Sequence, residues 1–397
     1  LAGMADHPDR DGCRAARRMS GPEPMSRSFR RPLLALVISG LLSACGAGKE
    51  PTGARVADYL GAGAGEGFAR AQPGHRLAFP QDHGAHPRYQ SEWWYFTGNL
   101  EGDAGRHFGF MFTIFRFALT PEAALRASEW GTNQAWMAHF AVTDTEGQAL
   151  LKSERFARGG AGLAGASADP FRVWLYDWSA SAAGGDGPFP MRLSAREDDY
   201  AVELDLSPAK PLVLQGEQGY SQKGREPGNA SHYYAYTRLE ARGQVVLDGE
   251  AHEVTGSAWM DREWSTSALG DDLAGWDWFA LQLDDGRDLM FYQLRREDGG
   301  RGPFSQGALV AADGTRRGIA PADVRLKPRK WWRSSETGRR YPVSWRMRID
   351  SLNLDLEIAA RLPAQEMNLN VAYWEGAVSV TGSRGERGVG YLEMTGY

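Results

Sequence analysis

Two carboxylates lie between tryptophans in the segment Val254 to Ser265, which reads VTGSAWMDREWS. Alternation along a strand would put Trp259, Asp261 and Glu263 on one face, and Arg262 on the other. A carboxylic acid in an apolar site can keep its proton, because burial disfavours the ionised form. Asp261 or Glu263 could then protonate a double bond while its neighbour positions water, and indole faces could stabilise the resulting cation.

A structural interpretation of the same segment is also open. Arg262 could neutralise an adjacent or cross-strand carboxylate, and the segment would then be a buried ion pair. Arginine stays charged near neutral pH and cannot exchange protons. The segment therefore predicts either a pair of catalytic acids, Asp261 and Glu263, with Trp259, Arg262 and Trp264 as ligand contacts, or a structural ion pair.

Further candidates are polar or aromatic residues inside apolar segments. We assign the following residues to ligand binding: Glu92, Trp94, Arg116, His139, Trp278 and Tyr292. Buried polar groups need hydrogen-bond partners, so each polar member of this set could instead be a satisfied core residue. Trp331 and Trp332, between Lys330 and Arg333, could line a pocket mouth, face lipid or pack in a barrel rim.

Composition and motifs narrow the function classes. The chain carries a net charge of −5, and nucleic-acid binding needs a basic surface, so we expect no nucleic-acid partner. His83 and His86 have the spacing of a metal-binding pair but no third ligand in a defined frame, so we expect no metal site. No phosphate-binding loop, dinucleotide fingerprint, nucleophile elbow or paired CxxC motif is present, and we expect no cofactor.

The N-terminal region predicts secretion. From Met25 a basic head precedes an apolar run from Pro32 to Leu42, which is shorter than the ~20 residues of a membrane span. The residues Leu42-Ser43-Ala44-Cys45 fit the bacterial lipobox, in which the cysteine is lipidated; an ordinary signal peptide is the alternative. We expect residues 1–44 to be an upstream extension plus a lipoprotein signal peptide, and residues 45–74 to be a flexible tether. Gly46 rather than Asp after the cysteine indicates the outer membrane.

The rest of the chain predicts an all-β fold. Short strand-like runs occur at 91–100, 107–117, 134–143, 172–178, 200–206, 233–239 and 244–247, with Gly and Asp-Gly turn signals between many of them. Both faces of the first run, SEWWYFTGNL, carry aromatic residues, so this strand should be buried on both sides.

An internal repeat divides this region into two halves. Residues 93–106 and 276–287 match at Trp93 with Trp276, Phe96 with Phe279 and Leu100 with Leu283, and each segment is followed by an aromatic strand. We predict two related domains, at residues 75–248 and 249–397, each long enough to enclose its own core.

The ordered motifs FPQDHGAHPRYQSEWWYFTGNL, GSAWMDREWS, TGRRYP, YWEG and GVGYLEMTGY resemble the AttH-type proteins, which are relatives of carotenoid 1,2-hydratase, also called hydroxyneurosporene synthase. The resemblance runs from about residue 79 to residue 397. It implies two lipocalin-like antiparallel β-barrels in tandem. Arg262 stands where the hydratase pattern, Asp-His-x-Trp, has histidine.

The resemblance implies two functions. One is a lipoprotein of the cell envelope, held at the outer membrane through lipidated Cys45 and facing the periplasm, that binds a large apolar or isoprenoid-like molecule beside ABC transporter components. The alternative is a hydro-lyase of the carotenoid 1,2-hydratase type, or a related cyclisation catalyst, that adds water to an isoprenoid double bond.

Overall fold

The structure is a computed structural model that describes residues 65–122, 128–185, 187–266 and 272–397. These residues form antiparallel strands and four short 3-10 helices, with no α-helix among them. The predicted all-β fold is therefore confirmed. One sheet forms a nearly closed barrel and the other a half-barrel, which gives two barrel-like domains in tandem.

The first sheet contains thirteen strands. They are β1 (Ser91–Glu101), β2 (His107–Ala118), β3 (Gln134–Asp144), β4 (Ala149–Arg158), β5 (Ala164–Ala168), β6 (Phe171–Leu175), β7 (Trp178–Ala182), β8 (Met191–Arg196), β9 (Tyr200–Pro208), β10 (Val213–Leu214), β11 (Tyr220–Gln222), β12 (Ala230–Leu247) and β13 (Glu250–Ser265).

The second sheet contains ten strands. They are β14 (Leu273–Leu283), β15 (Asp288–Arg296), β16 (Gln306–Val310), β17 (Arg316–Ile319), β18 (Val324–Arg333), β19 (Arg340–Ile349), β20 (Leu354–Ala360), β21 (Glu366–Asn368), β22 (Ala372–Gly382) and β23 (Arg387–Met394). The 3-10 helices are Gln81–His83, Asp103–Gly105, Pro321–Asp323 and Asp350–Leu352.

The two sheets repeat one strand order. The first contains the series β4-β3-β2-β1-β13-β12-β9-β8-β7, and the second runs β17-β16-β15-β14-β23-β22-β20-β19-β18. The sequence repeat aligned β1 with β14, and these strands hold the same place in the two series. The last strand of each half, β13 or β23, pairs with the first.

The change of sheet falls later than the predicted boundary between residues 248 and 249. That boundary lies in the turn between β12 and β13, which pair along most of their length. Asp248 and Gly249 both have positive φ, so this Asp-Gly pair closes a hairpin rather than linking two domains. The chain passes from the first sheet to the second between Ser265 and Leu273.

Opposite faces of the central strands bury different surfaces. In β1, Trp94 and Phe96 point into the core of the first barrel, whereas Tyr95 joins a second apolar cluster between the two sheets. This arrangement confirms that the strand is buried on both sides. At Gly109 of β2 a Cβ atom would lie 2.8 Å from Ala377 of β22, so glycine permits the close approach of the sheets there.

Packing of the chain against the first barrel begins before residue 75. The Ala69 amide donates to the Arg88 carbonyl at 2.8 Å, and Ala71 is fully buried. The predicted signal segment, Cys45 and the tether up to residue 64 lie outside the described residues. Within the described ranges, no helix has the length and hydropathy that a membrane span requires.

Candidate functional site

A cavity lies between the two sheets, on the faces that point away from the barrel cores. Its volume is about 110 Å³, and it is partly open to solvent. Aromatic rings dominate its walls, and five titratable groups other than tyrosine and histidine reach it. Those groups are Lys223, Asp261, Glu263, Glu375 and Glu393.

Asp261 projects from β13 into this cavity and has no cationic partner within hydrogen-bond distance among the described residues. Its Oδ1 accepts the indole N–H of Trp259 at 2.8 Å, and its Oδ2 accepts the hydroxyl of Tyr233 at 2.7 Å. Burial raises the pKa of Asp261 to about 8. An indole can only donate, so Oδ1 stays an acceptor; in the neutral acid the proton lies on Oδ2, and the Tyr233 hydroxyl, which can donate or accept, then accepts it.

Glu263 lies two residues further along the same face, roughly 6 to 7 Å away by strand geometry. Its Oε2 is 3.5 Å from Nζ of Lys223. Burial raises the pKa of Glu263, and the positive charge of Lys223, which acts in the opposite direction, only partly offsets this effect. Burial alone would lower the pKa of Lys223, but the charges of Glu263 and Tyr292 and the hydrogen bonds to both together outweigh burial, and the pKa is raised. Lys223 is therefore charged near neutral pH, and its Nζ lies 4.2 Å above the Tyr292 ring.

The second sheet supplies the opposite wall. Glu375 of β22 accepts the hydroxyl of Tyr95 from the first sheet at 2.5 Å, and burial raises its pKa well above the ordinary value. The hydroxyl of Tyr373 lies 2.7 Å from Nδ1 of His139, again across the two sheets. Burial lowers the pKa of His139 to about 3, so its ring is neutral. Hydrogen bonds between the sheets thus fix the walls of the cavity.

Glu393 occupies the place in the second sheet that Asp261 occupies in the first. Asp261 lies opposite Tyr95 in the pairing of β13 with β1, and Glu393 lies opposite Trp278 in the pairing of β23 with β14. The sequence repeat aligns Tyr95 with Trp278. Glu393 also accepts an indole N–H, from Trp276 at 2.8 Å, and burial raises its pKa to about 7. Each half of the chain therefore contributes an acid with a raised pKa at an equivalent position, buried in the case of Asp261 and half-buried in the case of Glu393.

Arg262 lies on the other face of β13, inside the first barrel. Its guanidinium contacts the Glu92 carboxylate and lies 3.8 Å above the ring of Trp94. Arg116 contacts the other oxygen of Glu92. Although burial would raise the pKa of Glu92, the two guanidinium groups hold it well below its ordinary value. The arginine thus neutralises a cross-strand carboxylate, and leaves Asp261 and Glu263 to the cavity.

The residues assigned from the sequence divide between these two environments. Five line the cavity: His139, Asp261, Glu263, Trp278 and Tyr292. Trp259 lies behind the wall and orients Asp261. Five others are buried in the first barrel and do not line the cavity: Glu92, Trp94, Arg116, Arg262 and Trp264. Strand alternation turns their side chains into the barrel core and away from this cavity, so the ion pair of Arg262 with Glu92 matches the structural interpretation, and ligand binding by these five residues stays a prediction.

Several cavity residues were not assigned from the sequence. They are Trp93, Tyr95, Lys223, Tyr233, Trp276, Tyr373, Glu375 and Glu393. Alternation in SEWWYFTGNL places Trp93 and Tyr95 on the face opposite Trp94. This pattern could have predicted that Trp93 and Tyr95 lie outside the barrel core. Glu375 directly follows Tyr373 and Trp374 in the motif YWEG of β22. Nothing local to Lys223 indicates that it lies in the site.

Metal chemistry has no support in the part of the chain that the structure describes, where no group of three or more His, Cys, Asp or Glu side chains is arranged to hold an ion. His83 and His86 have other contacts. Nδ1 of His83 lies 2.7 Å from the Tyr234 hydroxyl, and His86 lies between Asp82 and Glu92.

Known structures share this fold. The crystal structure of an AttH protein from Nitrosomonas europaea is 36% identical, with 83% of this chain and 100% of that chain covered and a TM-score of 0.74. Kievitone hydratase from Nectria haematococca is 13% identical, with coverage of 83% and 95% and a TM-score of 0.62. CghA with Sch210972 is 12% identical, with coverage of 77% and 88% and a TM-score of 0.50. The last two likenesses show the fold alone.

No protein with a curated description matches the chain. The family model described as AttH-like matches residues 70–397, which include both sheets and every residue of the cavity. The sequence resemblance is therefore confirmed, and the chain belongs to the AttH-like family.

Proposed function

We propose that this protein is a hydratase, which adds water to a carbon–carbon double bond of an apolar molecule held between the two sheets. The observation that carries the proposal is Asp261, a buried carboxyl group without a cationic partner in the described structure, which faces an aromatic cavity and has a pKa of about 8. An acid of this kind is protonated near neutral pH and can give its proton to a substrate.

The proposed reaction has two steps. Asp261 gives its proton to one carbon of the double bond, so the bond's electron pair forms the new C–H bond and the other carbon becomes cationic. The indole and phenol faces of Trp278, Tyr95 and Tyr292 stabilise this cation. Water then forms the C–O bond and loses a proton to Glu263, whose ionised form Lys223 stabilises. A proton returns from Glu263 to Asp261, and the sum is the alkene plus one water.

Cavity size limits what can enter. A cavity of 150 Å³ accepts benzene in a well-studied engineered case, and the cavity here measures about 110 Å³. We infer that one end of a longer apolar molecule enters, such as a branched isoprenoid terminus, while the remainder stays outside. The kievitone hydratase fold and the hydratase resemblance support this substrate class. Arg262 differs from the hydratase pattern but points away from the cavity, so the difference leaves the proposed acids in place.

A carrier is the second candidate, and the apolar walls favour it. A protein that only binds an apolar or isoprenoid-like molecule needs the aromatic rings of the cavity, but it does not need a proton on Asp261. The two candidates therefore share ligand binding and differ in turnover.

The cellular setting remains a proposal from the sequence. We propose that lipidated Cys45 holds the protein on the periplasmic side of the outer membrane, where ABC transporter components could supply or remove the apolar ligand.

The test is turnover by the purified protein of two probes, an acyclic carotenoid and kievitone, in heavy water. A hydratase should yield a product heavier by one water, with deuterium on carbon. Asp261→Asn and Glu263→Gln should each lower the rate on the order of 10²–10⁴-fold, the usual contribution of an acid or base. Probe binding, followed by quenching of tryptophan fluorescence, should be nearly unchanged in both variants.

Asp205→Asn is the control, because Asp205 is exposed on the first barrel and paired with Arg192. This variant should keep full activity. If both probes bind without turnover in the wild type, and Asp261→Asn binds them equally, the carrier replaces the hydratase. Loss of folding in Asp261→Asn at neutral pH would also contradict the proposed role, because the amide resembles the neutral acid.

A further inference from the structure

The outer edge of the second sheet concentrates positive charge. Strand β18, VRLKPRKWWR, contains five basic residues and no acidic one, and β19 adds three more. Their pairing sets like charges directly opposite each other at Arg325 with Arg348, Lys327 with Arg346, and Arg333 with Arg340. Such pairs are destabilising in a sheet. They occur here in a chain whose net charge is −5.

Acidic neighbours neutralise only part of this charge. Arg325, Arg329, Arg346 and Arg348 form ion pairs with carboxylates of the segment that follows, at Asp350, Asp355 and Glu357. Within the described ranges, no carboxylate lies within ion-pair distance of the following four basic residues: Lys327, Lys330, Arg333 and Arg340. All four are exposed.

An exposed tryptophan lies among these charges. Trp331 is 48% exposed, and the guanidinium of Arg340 lies 5.4 Å from the centre of its ring. The adjacent Trp332 packs against the core of the second barrel and stacks on Tyr341. The two tryptophans therefore differ, with Trp332 in the barrel rim and Trp331 directed to solvent.

Protection of a sheet edge explains only some of these features. Charged residues, a proline and irregular pairing on an edge strand prevent pairing with another chain, and β18 has Pro328 and two register shifts. That role does not require basic residues on β19, which is covered by β18 on one side and β20 on the other. Nor does it require a solvent-exposed tryptophan.

We propose that the outer face of β18 and β19 docks on a surface of anionic phospholipids. Lys327, Lys330, Arg333 and Arg340 contact the phosphate groups, and Trp331 enters the headgroup layer. Lysine and arginine near an anionic bilayer are attracted to it, and tryptophan favours the membrane–water interface. A nucleic acid fits less well, because the predicted secretion signal directs the chain away from the cytoplasm. The inference does not depend on the proposed catalytic activity.

Vesicle sedimentation tests the inference. The full chain carries Cys45→Ser, so that no lipid on the cysteine contributes to binding. Vesicles of phosphatidylglycerol mixed with phosphatidylcholine should bind this protein, and pure phosphatidylcholine vesicles should not. Combined replacement of the four unpaired basic residues by glutamine should weaken binding at least about tenfold. Trp331→Ala should weaken vesicle binding less. Added salt should release the protein with its four basic residues intact from the vesicles.

A matched control removes four exposed arginines from the first barrel: Arg172, Arg192, Arg196 and Arg242. This quartet changes the net charge equally and should leave vesicle binding nearly intact. Equal binding to both kinds of vesicle, binding to neither, or an equal loss in the control quartet would each overturn the inference. Tighter binding to duplex DNA than to the anionic vesicles, at the same salt concentration, would also overturn it.

Discussion

Asp261 and Arg262 are consecutive residues of β13, yet their side chains lie in separate electrostatic environments. Arg262 faces the first barrel and pairs with Glu92, whereas Asp261 faces the cavity and accepts hydrogen bonds from Trp259 and Tyr233. The alternative interpretations of this segment therefore apply to opposite faces of one strand. The ion pair is structural, and the carboxyls at the cavity are available for chemistry.

Two buried glutamates should respond differently to the same substitution. Glu92 is ionised between Arg262 and Arg116, so Glu92→Gln leaves both guanidinium groups without a buried counter-charge. We expect this variant to lower the free energy of unfolding by about 3–5 kcal/mol. Glu375 has a raised pKa and is neutral, so Glu375→Gln should cost less than about 1 kcal/mol. Urea unfolding at neutral pH measures both, and equal losses would contradict the assigned charges.

Asp261 should make stability fall as the pH rises. Its pKa in the folded protein is about 8, above the ordinary value of 3.8, so the native state holds the proton more tightly than the unfolded state. The stabilising contribution is complete below about pH 4 and is lost as the pH rises through about 8. Asp261→Asn should remove this contribution to the change of the free energy of unfolding with pH. Above pH 8 the variant should be more stable than the wild type by a few kcal/mol.

Urea unfolding of both proteins across this pH range measures the effect. The pKa values of Glu375 and Glu393 are also raised, so the free energy of unfolding of the variant should still fall in part as the pH rises. If the wild type and Asp261→Asn had parallel stability curves between about pH 4 and pH 8, Asp261 would not be a neutral acid in the native state.

Tyr233 should lower the pKa of Asp261. Its hydroxyl, 2.7 Å from Oδ2, donates to the carboxylate when Asp261 is ionised and so favours the ionised form. Tyr233→Phe removes that donor, so the pKa of Asp261 should rise above its wild-type value. Nuclear magnetic resonance of carboxyl-labelled aspartate during a pH titration measures the shift. Tyr292→Phe is the control, because the hydroxyl of Tyr292 contacts Ser221 and Gln306 instead; an equal shift there would count against a specific hydrogen bond.

Cys45 should decide how firmly the protein is held on the membrane. Cells fed labelled palmitate should incorporate label into the wild type and not into Cys45→Ser. We expect the variant to leave the membrane fraction after a salt wash, because the contacts that remain are mainly those of the basic residues with anionic lipids, which salt screens. Label in the variant, or retention of the unlabelled variant after the wash, would contradict lipidation at this residue.

Local patterns in the sequence predict much of the fold. Alternating aromatic residues locate β1, β2 and β3, and Asp-Gly pairs mark the turns that follow β12, β14 and β16. The repeat of Trp93 at Trp276 indicates two related halves. The predicted strands 233–239 and 244–247 are one strand, β12, which continues through Gly243 at a φ of 151°. The local sequence could not predict to which sheet β13 belongs. That assignment depends on the pairing of β13 with β1, which lies more than one hundred and fifty residues earlier in the chain.

The site is harder to predict than the fold for the same reason. Asp261 and Glu263 carry a local signal, since charged residues between tryptophans are unusual in a buried strand. Lys223, Glu375 and Glu393 reach the cavity only because two sheets pack face to face. Which face of a strand meets the partner sheet is a property of tertiary packing, and periodicity alone cannot distinguish it from the face that fills the barrel.

The equivalence of Asp261 and Glu393 shows what each half of the chain gains from packing against the other. A lone half, with no partner sheet, would expose its carboxyl group to water, where aspartate and glutamate ionise at ordinary pH. In the tandem protein each half excludes water from the acid of the other half, so the two raised pKa values depend on the same packing between the sheets.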